Sequence, residues 1–160
     1  MTDQIKRTCE TCRVLYDGKL TPHRSCGMAM AETFGLPSKS YQALRKGGLT
    51  GKNTCGVIQG GRMVLGELLG DPDPTHKATA SLVRAAVTYE ERVAALVNDR
   101  GAASSMVCND FTGVFDQFKS QERHDFCCTL AADVAGLVAE IALDEGAEWT
   151  SEAEGFLPED

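Results

Sequence analysis

The chain has 160 residues, a formal net charge of −7 and an apolar fraction of 42%. That length is one ordinary domain, able to bury roughly 70% of its unfolded surface, so it needs no disulfide framework to fold. Seven of the 23 acidic residues lie in the last 17 positions, which hold no Lys or Arg; the rest of the chain is balanced and lacks the basic footprint of a nucleic-acid binder.

Apolar residues recur at helical spacing along nearly the whole chain, and period-two alternation is scarce. Over residues 3–16, Ile5, Cys9, Cys12 and Tyr16 form one stripe, closed by Asp17-Gly18. Pro22 precedes a short helix in which Cys26, Met30, Thr33 and Phe34 share a face until Gly35 and Pro37 interrupt it. Ser38 is placed to cap a third short helix through Leu44. The glycine-rich loop Gly47–Asn53 follows, and Thr54 is expected to cap a helix from Cys55 to Gly70. Asp71-Pro72-Asp73-Pro74 is a hard stop. Thr75 is then expected to cap a long helix with Leu82, Val83, Ala86, Tyr89, Val93, Leu96 and Val97 on its packed side. After Gly101, Ser104 or Ser105 opens a helix carrying Val107, Cys108, Phe111, Val114, Phe115 and Phe118, interrupted at Gly113. The last helix, from about Asp125, presents Cys127, Leu130, Ala131, Val134, Leu137, Val138 and Ile141 on one broad face.

These elements predict an all-α protein: a single compact bundle of about six to seven helices over residues 1–146, followed by a loosely held acidic tail, 147–160. No apolar run approaches the roughly 18 residues of a membrane helix, and Met1–Arg7 lacks the apolar core of a secretory signal. A cytoplasmic protein without direct membrane insertion is the expectation.

In a reducing compartment, seven cysteines point to metal or redox chemistry more than to structural disulfides. Cys26, Cys55, Cys108 and Cys127 each fall on the core-facing stripe near the start of a different helix. The positive end of a helix eases ionisation of a thiol, and the thiolate is the form that attacks disulfides or binds metal. Buried cysteines also serve simply as small apolar residues. The segment Cys55-Gly56-Val57-Ile58-Gln59-Gly60-Gly61 is the most distinctive, because each glycine in a helix costs about 1 kcal/mol against alanine. Gly56 and Gly60, four apart, share a face and would let another backbone or a cofactor come close to the Cys55 sulfur.

With this segment the chain resembles the C_GCAxxG_C_C family of redox-active proteins, small domains with four characteristic cysteines and a Cys-Gly-Ala-x-x-Gly motif. The motif falls on Cys55, Gly56 and Gly60, with Val57 in place of the alanine. The first family cysteine falls on Cys26, the third on Cys108 and the fourth on Cys127 or Cys128. The resemblance implies a redox role and companionship with membrane transport or electron-transfer systems or a redox partner protein.

Adjacent cysteines on a helix point about 100° apart, so Cys127 and Cys128 cannot both face one site; the stripe favours Cys127 and leaves Cys128 as a bystander or resolving thiol. Cys9-Glu10-Thr11-Cys12 is either a packed pair or a reducible dithiol. His23 and His124 each precede a cluster cysteine by three residues and are further candidate ligands, whereas His76 is expected to face solvent. Gly51-Lys52 fails as a phosphate loop, since Lys46 and Asn53 stand where glycine and Ser/Thr are required, although a looser anion nest stays open.

The leading expectation is one cluster of Cys26, Cys55, Cys108 and Cys127 holding an iron–sulfur or other thiophilic metal centre for electron transfer. Two alternatives stand beside it. One is a metal-free thiol–disulfide oxidoreductase using Cys55 and Cys26; the other is an interaction protein stapled by zinc.

Overall fold

Thr2 accepts the amide of Ile5 through its hydroxyl and starts α1 (Asp3–Asp17), which Gly18 ends at φ +78°, a conformation that suits glycine. The computed structural model describes residues 1–100 and 105–157. Of the expected stripe, Ile5, Cys12 and Tyr16 are buried and Cys9 is half-buried. Further along come α2 (Gly27–Thr33), α3 (Gly56–Leu69), α4 (Ala80–Asp99), α5 (Cys108–Thr112) and α6 (Gln121–Asp144), with 3-10 turns at Lys39–Leu44 and Glu152–Phe156. Among the described residues there is no strand, only an isolated antiparallel bridge between Thr54 and Val107. The fold is all-α, as expected.

The core sits where α1 lies along α6, the most extensive helix pair, with α2, α3 and α4 closing round them. Leu15, Val64, Leu65, Leu130, Val134 and Val138 are almost wholly withdrawn from solvent, each contributing about 1.5–3 kcal/mol by burial. Tyr89 reaches across from α4 and donates its hydroxyl to the carbonyl of Ile58 at 2.7 Å. By length and composition α6 could cross a membrane, contrary to the expectation from apolar runs. Its apolar residues from Leu130 to Ala142 are instead buried within the protein core.

Several expected starts shift for local reasons. Asp73 accepts both the amide and the hydroxyl of Thr75, at 2.9 and 2.7 Å, so Thr75 closes a turn and Thr79 caps α4 by accepting from Leu82. Val83, expected on the packed side, is exposed. Ser120 caps α6 by accepting from Arg123, which sets that helix four residues earlier than expected. Thr54 is taken up by its bridge to Val107, leaving Cys55 at the cap position of α3. Ser38 donates to Glu32 instead of capping, and its segment winds as a 3-10 turn. Gly101 and Ser104 lie outside the described residues. Ser105 accepts the amide of Val107, and α5 ends at Thr112, so Val114, Phe115 and Phe118 lie beyond it.

The segment after Gly146, expected to be loosely held, is anchored from Trp149 to Glu154. Trp149 lies on Phe34 with ring centroids 5.0 Å apart, Ser151 donates to the carbonyl of Glu32 at 2.6 Å, and Ala153 is buried. Glu154 also pairs with Arg7 at 3.3 Å. Replacing Trp149 by alanine is therefore expected to cost about 2 kcal/mol, somewhat below the value for a fully buried aromatic. Urea unfolding of the variant measures it; an unchanged midpoint would show the segment to be free.

Candidate functional site

Three of the four singled-out cysteines stand at helix starts. Cys26 is the residue before α2, Cys55 the residue before α3, and Cys108 the first residue of α5; Cys127 lies in the second turn of α6. All four line one cavity of about 200 Å³. The remaining wall is largely apolar, from Tyr16, Val57, Phe111 and Leu130.

The glycines of the distinctive segment make this convergence possible. A Cβ at position 60 would stand 2.8 Å from the Cα of Gly27, and one at position 56 would stand 2.8 Å from the Cβ of Cys26. Both are closer than real Cβ atoms come, so α2 lies on α3 backbone to backbone at Gly60, and Cys26 is seated on Gly56, the residue after Cys55. The open choice between a close backbone and a cofactor at these glycines is thus filled by backbone. Cys26 itself has φ +49° and ψ −120°, a conformation rarely held by a residue with a side chain. Such backbone costs about 1–3 kcal/mol and persists only where the surroundings impose it.

The glycine-rich loop holds the third cysteine. Lys46, Gly47, Gly48 and Leu49 all have positive φ. A Cβ on Gly47 would stand 2.5 Å from that of Cys108, so glycine is required there for space as well as conformation. The Cys108 amide donates to Asn53 and the Asn109 amide to Gly51, at 3.0 and 2.8 Å. The amides of Leu49, Gly51 and Asn53 are spent on carbonyls of Arg45, Lys46 and Gly47, and that of Lys52 on Thr50. A loop so engaged serves as a clamp on α5 and makes a poor anion nest.

Burial dominates the electrostatics of the thiols. It pushes Cys26 up to about 11, against the Lys46 amide and Arg123, and pushes Cys55 and Cys108 upward as well. For Cys55, the Cys26 thiol is the next cause, and the amides of Val57 and Ile58 oppose both. Tyr16 is raised by burial and then by Cys127 and Cys26. At neutral pH the Cys26, Cys55 and Cys108 thiols are thus protonated.

The remaining candidates are placed elsewhere. Cys128 faces α1, donating to the carbonyl of Arg13 at 3.6 Å and lining a separate cleft. Cys12 is fully buried, with its thiol against the carbonyl of Ala131 at 3.5 Å, and Cys9 seats on Gly136. The first-helix pair is packing between α1 and α6 and does not reach the cavity. His23 lies at the cavity rim and donates from Nδ1 to the carbonyl of Tyr16; burial holds its pKa below the usual histidine value. His124 faces Asp17 at 3.4 Å, with its ring 5.8 Å from that of His23. His76 is exposed beside Asp71 and Asp73, as expected.

All seven cysteines are free. Among the described residues, no group of three or more His, Cys, Asp or Glu side chains is disposed to hold a metal ion. The four thiols share a cavity, each from a different element, without being disposed as a ligand shell. As placed, they do not fit an iron–sulfur cluster or a tetrahedral zinc.

Sequence patterning did not single out the cationic part of the cavity. Arg45, Lys46 and Arg123 line it, together with Ser25 and Phe118, and no carboxylate does. Arg123, four residues before Cys127 on one helix, was the available signal.

No curated protein and no solved structure matches the chain. One family model does, described as "Putative redox-active protein (C_GCAxxG_C_C)", and it matches residues 23–141, a span that contains all four cavity cysteines. With well over half of its length matched, the chain belongs to the C_GCAxxG_C_C family.

Proposed function

We propose that the protein is a thiol–disulfide oxidoreductase whose working pair is Cys26 and Cys55. The observation that carries this reading is the close approach of α2 to α3 at Gly60 and of the Cys26 Cβ to Gly56, the residue after Cys55, at the wall of one cavity. In the oxidising half-cycle the two thiols give up two electrons and two protons to a disulfide and become one themselves. A dithiol partner protein restores them by the reverse exchange. Cys26, the less strongly buried of the pair, is the attacking thiol and Cys55 the resolving one. The proposed setting is the cytoplasm, with the reducing partner belonging to a redox or transport system of the kind the family resemblance implies.

Oxidation of the reduced protein with a small disulfide, followed by peptide mass mapping, tests this. The expected product is a Cys26–Cys55 disulfide, and Cys55→Ser should stop at a mixed disulfide on Cys26. Finding both cysteines free after oxidation would overturn the reading.

The convergence of four thiols on one cavity supports a second reading, in which Cys26, Cys55, Cys108 and Cys127 close around an iron–sulfur or other thiophilic metal centre. It requires the four thiols to close into a ligand shell, which the described arrangement lacks. Anaerobic purification with metal analysis and a visible spectrum separates the readings: an iron chromophore or stoichiometric zinc, lost in Cys55→Ser, would favour the metal.

A further inference from the structure

Two cations of the cavity converge on a single ring. Lys46 Nζ stands 4.7 Å and Arg123 Cζ 4.5 Å from the centroid of Phe118, and Arg123 Nε also donates to the Phe118 carbonyl at 2.6 Å. Arg45 joins them at the cavity, where its guanidinium touches the Met28 sulfur at 3.7 Å. Elsewhere on the surface, cations such as Arg62, Arg84 and Arg92 pair with carboxylates. Among the described residues Arg45, Lys46 and Arg123 have no carboxylate within 4.0 Å. A protein with net charge −7 therefore gathers three cations at its cysteine cavity with no ion-pair partner among the described residues, a positive collar.

A second observation points the same way. The Ser25 hydroxyl, on the cavity wall next to Cys26, is buried and has no hydrogen-bond partner. A buried polar atom left unpaired costs about 1–3 kcal/mol and calls for a partner. A bound molecule with a hydrogen-bonding group supplies one.

From the collar, the orphaned hydroxyl and the apolar inner wall, we infer that the oxidant taken by this cavity is a small anionic disulfide, with its carboxylates at Arg45, Lys46 and Arg123 and its sulfurs inside, facing Cys26. This rests on the dithiol reading above. The Cys26 thiolate attacks one sulfur of R–S–S–R, forming a mixed disulfide and releasing a thiolate that takes up a proton. Cys55, deprotonated, attacks the Cys26 sulfur, expels the second thiolate and closes the protein disulfide. Two protein thiols are oxidised and one disulfide is reduced to two thiols. Opposite charge concentrates the oxidant at the mouth and orients it, while cationic disulfides are turned away.

The test measures the rate at which reduced protein is oxidised by three probes: glutathione disulfide, which is anionic; bis(2-hydroxyethyl) disulfide, which is neutral; and cystamine, which is cationic. Each variant is compared with wild type for each probe, which cancels the probes' own reactivities. Removing Arg123 also removes a charge that favours the Cys26 thiolate, and the neutral probe corrects for that loss. The Lys46→Gln/Arg123→Gln variant is expected to slow the anionic probe about tenfold relative to the neutral one and to speed the cationic one. In about 0.5 M salt the wild-type preference should shrink. Lys46→Arg/Arg123→Lys should keep it, which separates charge from local packing. Equal slowing of all three probes, or none, would overturn the inference. If no probe yields the Cys26–Cys55 disulfide, the dithiol reading has failed on its own. The anion site is then decided by titrating unreactive S-methylglutathione onto the protein: binding lost in the Gln variant upholds the collar, and no binding removes it.

Discussion

Replacing Gly60 by alanine is expected to destabilise the protein by about 2 kcal/mol or more, even though alanine is the better helix former by about 1 kcal/mol. The new methyl group would meet the Cα of Gly27 at 2.8 Å and the Cβ of Met30 at 3.3 Å. Backbone cannot swing aside as a side-chain end can, so α2 and α3 must separate. Gly66 supplies the matched control. It lies on the same helix, and nothing stands within 4 Å of where its Cβ would be. Gly66→Ala should therefore stabilise by up to about 1 kcal/mol. Chemical unfolding of both variants measures the contrast, and equal shifts would show that the crossing is not tight. The consequence reaches the chemistry, because the same crossing brings Cys26 to Cys55. Gly60→Ala is expected to slow formation of the Cys26–Cys55 disulfide under any oxidant, while Gly66→Ala leaves it unchanged.

Gly56 and Gly60 are also the clearest case of function written in the sequence. Three glycines early in a helix contradict local propensity, and such a contradiction usually marks a site where something else must fit. The partner was not legible, because backbone and cofactor ask for the same missing side chain. The helices themselves were readable from their apolar spacing, and α1 shows why: Ile5, Thr8, Cys12 and Leu15 are buried at steps of three and four. In α6 the same method has less to work with. Leu130, Ala131, Ala132, Val134 and Ala135 are all buried, so the helix has protein on nearly every side and no single face. Cys127 and Cys128 can then both point inward, one to the cavity and the other to α1. The cationic collar was hidden for a different reason. Charge counting balances the body of the chain as a whole, whereas none of the carboxylates that balance it lines the cavity. The tail misled by composition: its acids suggested solvation, and the two residues that anchor it, Trp149 and Ala153, carry little weight in a charge count.

The buried thiols make a second large effect predictable, a loss of stability in mild alkali. Burial holds Cys26 up to about 11 and Cys12 up to about 12, and Cys55 is raised further. In the unfolded chain the same thiols ionise near about 8.5. The folded state therefore keeps protons that the unfolded state has released, and stability falls wherever the unfolded state binds fewer. Their contribution is complete below about pH 8.5 and is lost as pH rises toward the folded values. Each such thiol loses about 1.4 kcal/mol per pH unit in that window, so three together remove on the order of 4 kcal/mol per unit. That is a large share of the roughly 5–15 kcal/mol available to a domain. Urea titrations under reducing conditions at pH 7.5 and pH 10 should give sharply different midpoints, and Cys12→Ala should remove about a fifth to a quarter of the dependence, because Cys108 and Cys128 are raised as well. A midpoint unmoved across that range would mean that the thiols ionise alike in the folded and unfolded chains, and one that rises with pH would mean that they are already ionised in the folded protein, as they would be around a bound cation. The same titration bears on rate. With Cys26 as the attacking thiol, its oxidation should quicken about tenfold per pH unit up to about pH 9, where alkaline unfolding begins to compete. A rate independent of pH over that span would require a nucleophile whose thiolate is already formed at neutral pH, and would move the attack from Cys26 to another cysteine of the cavity.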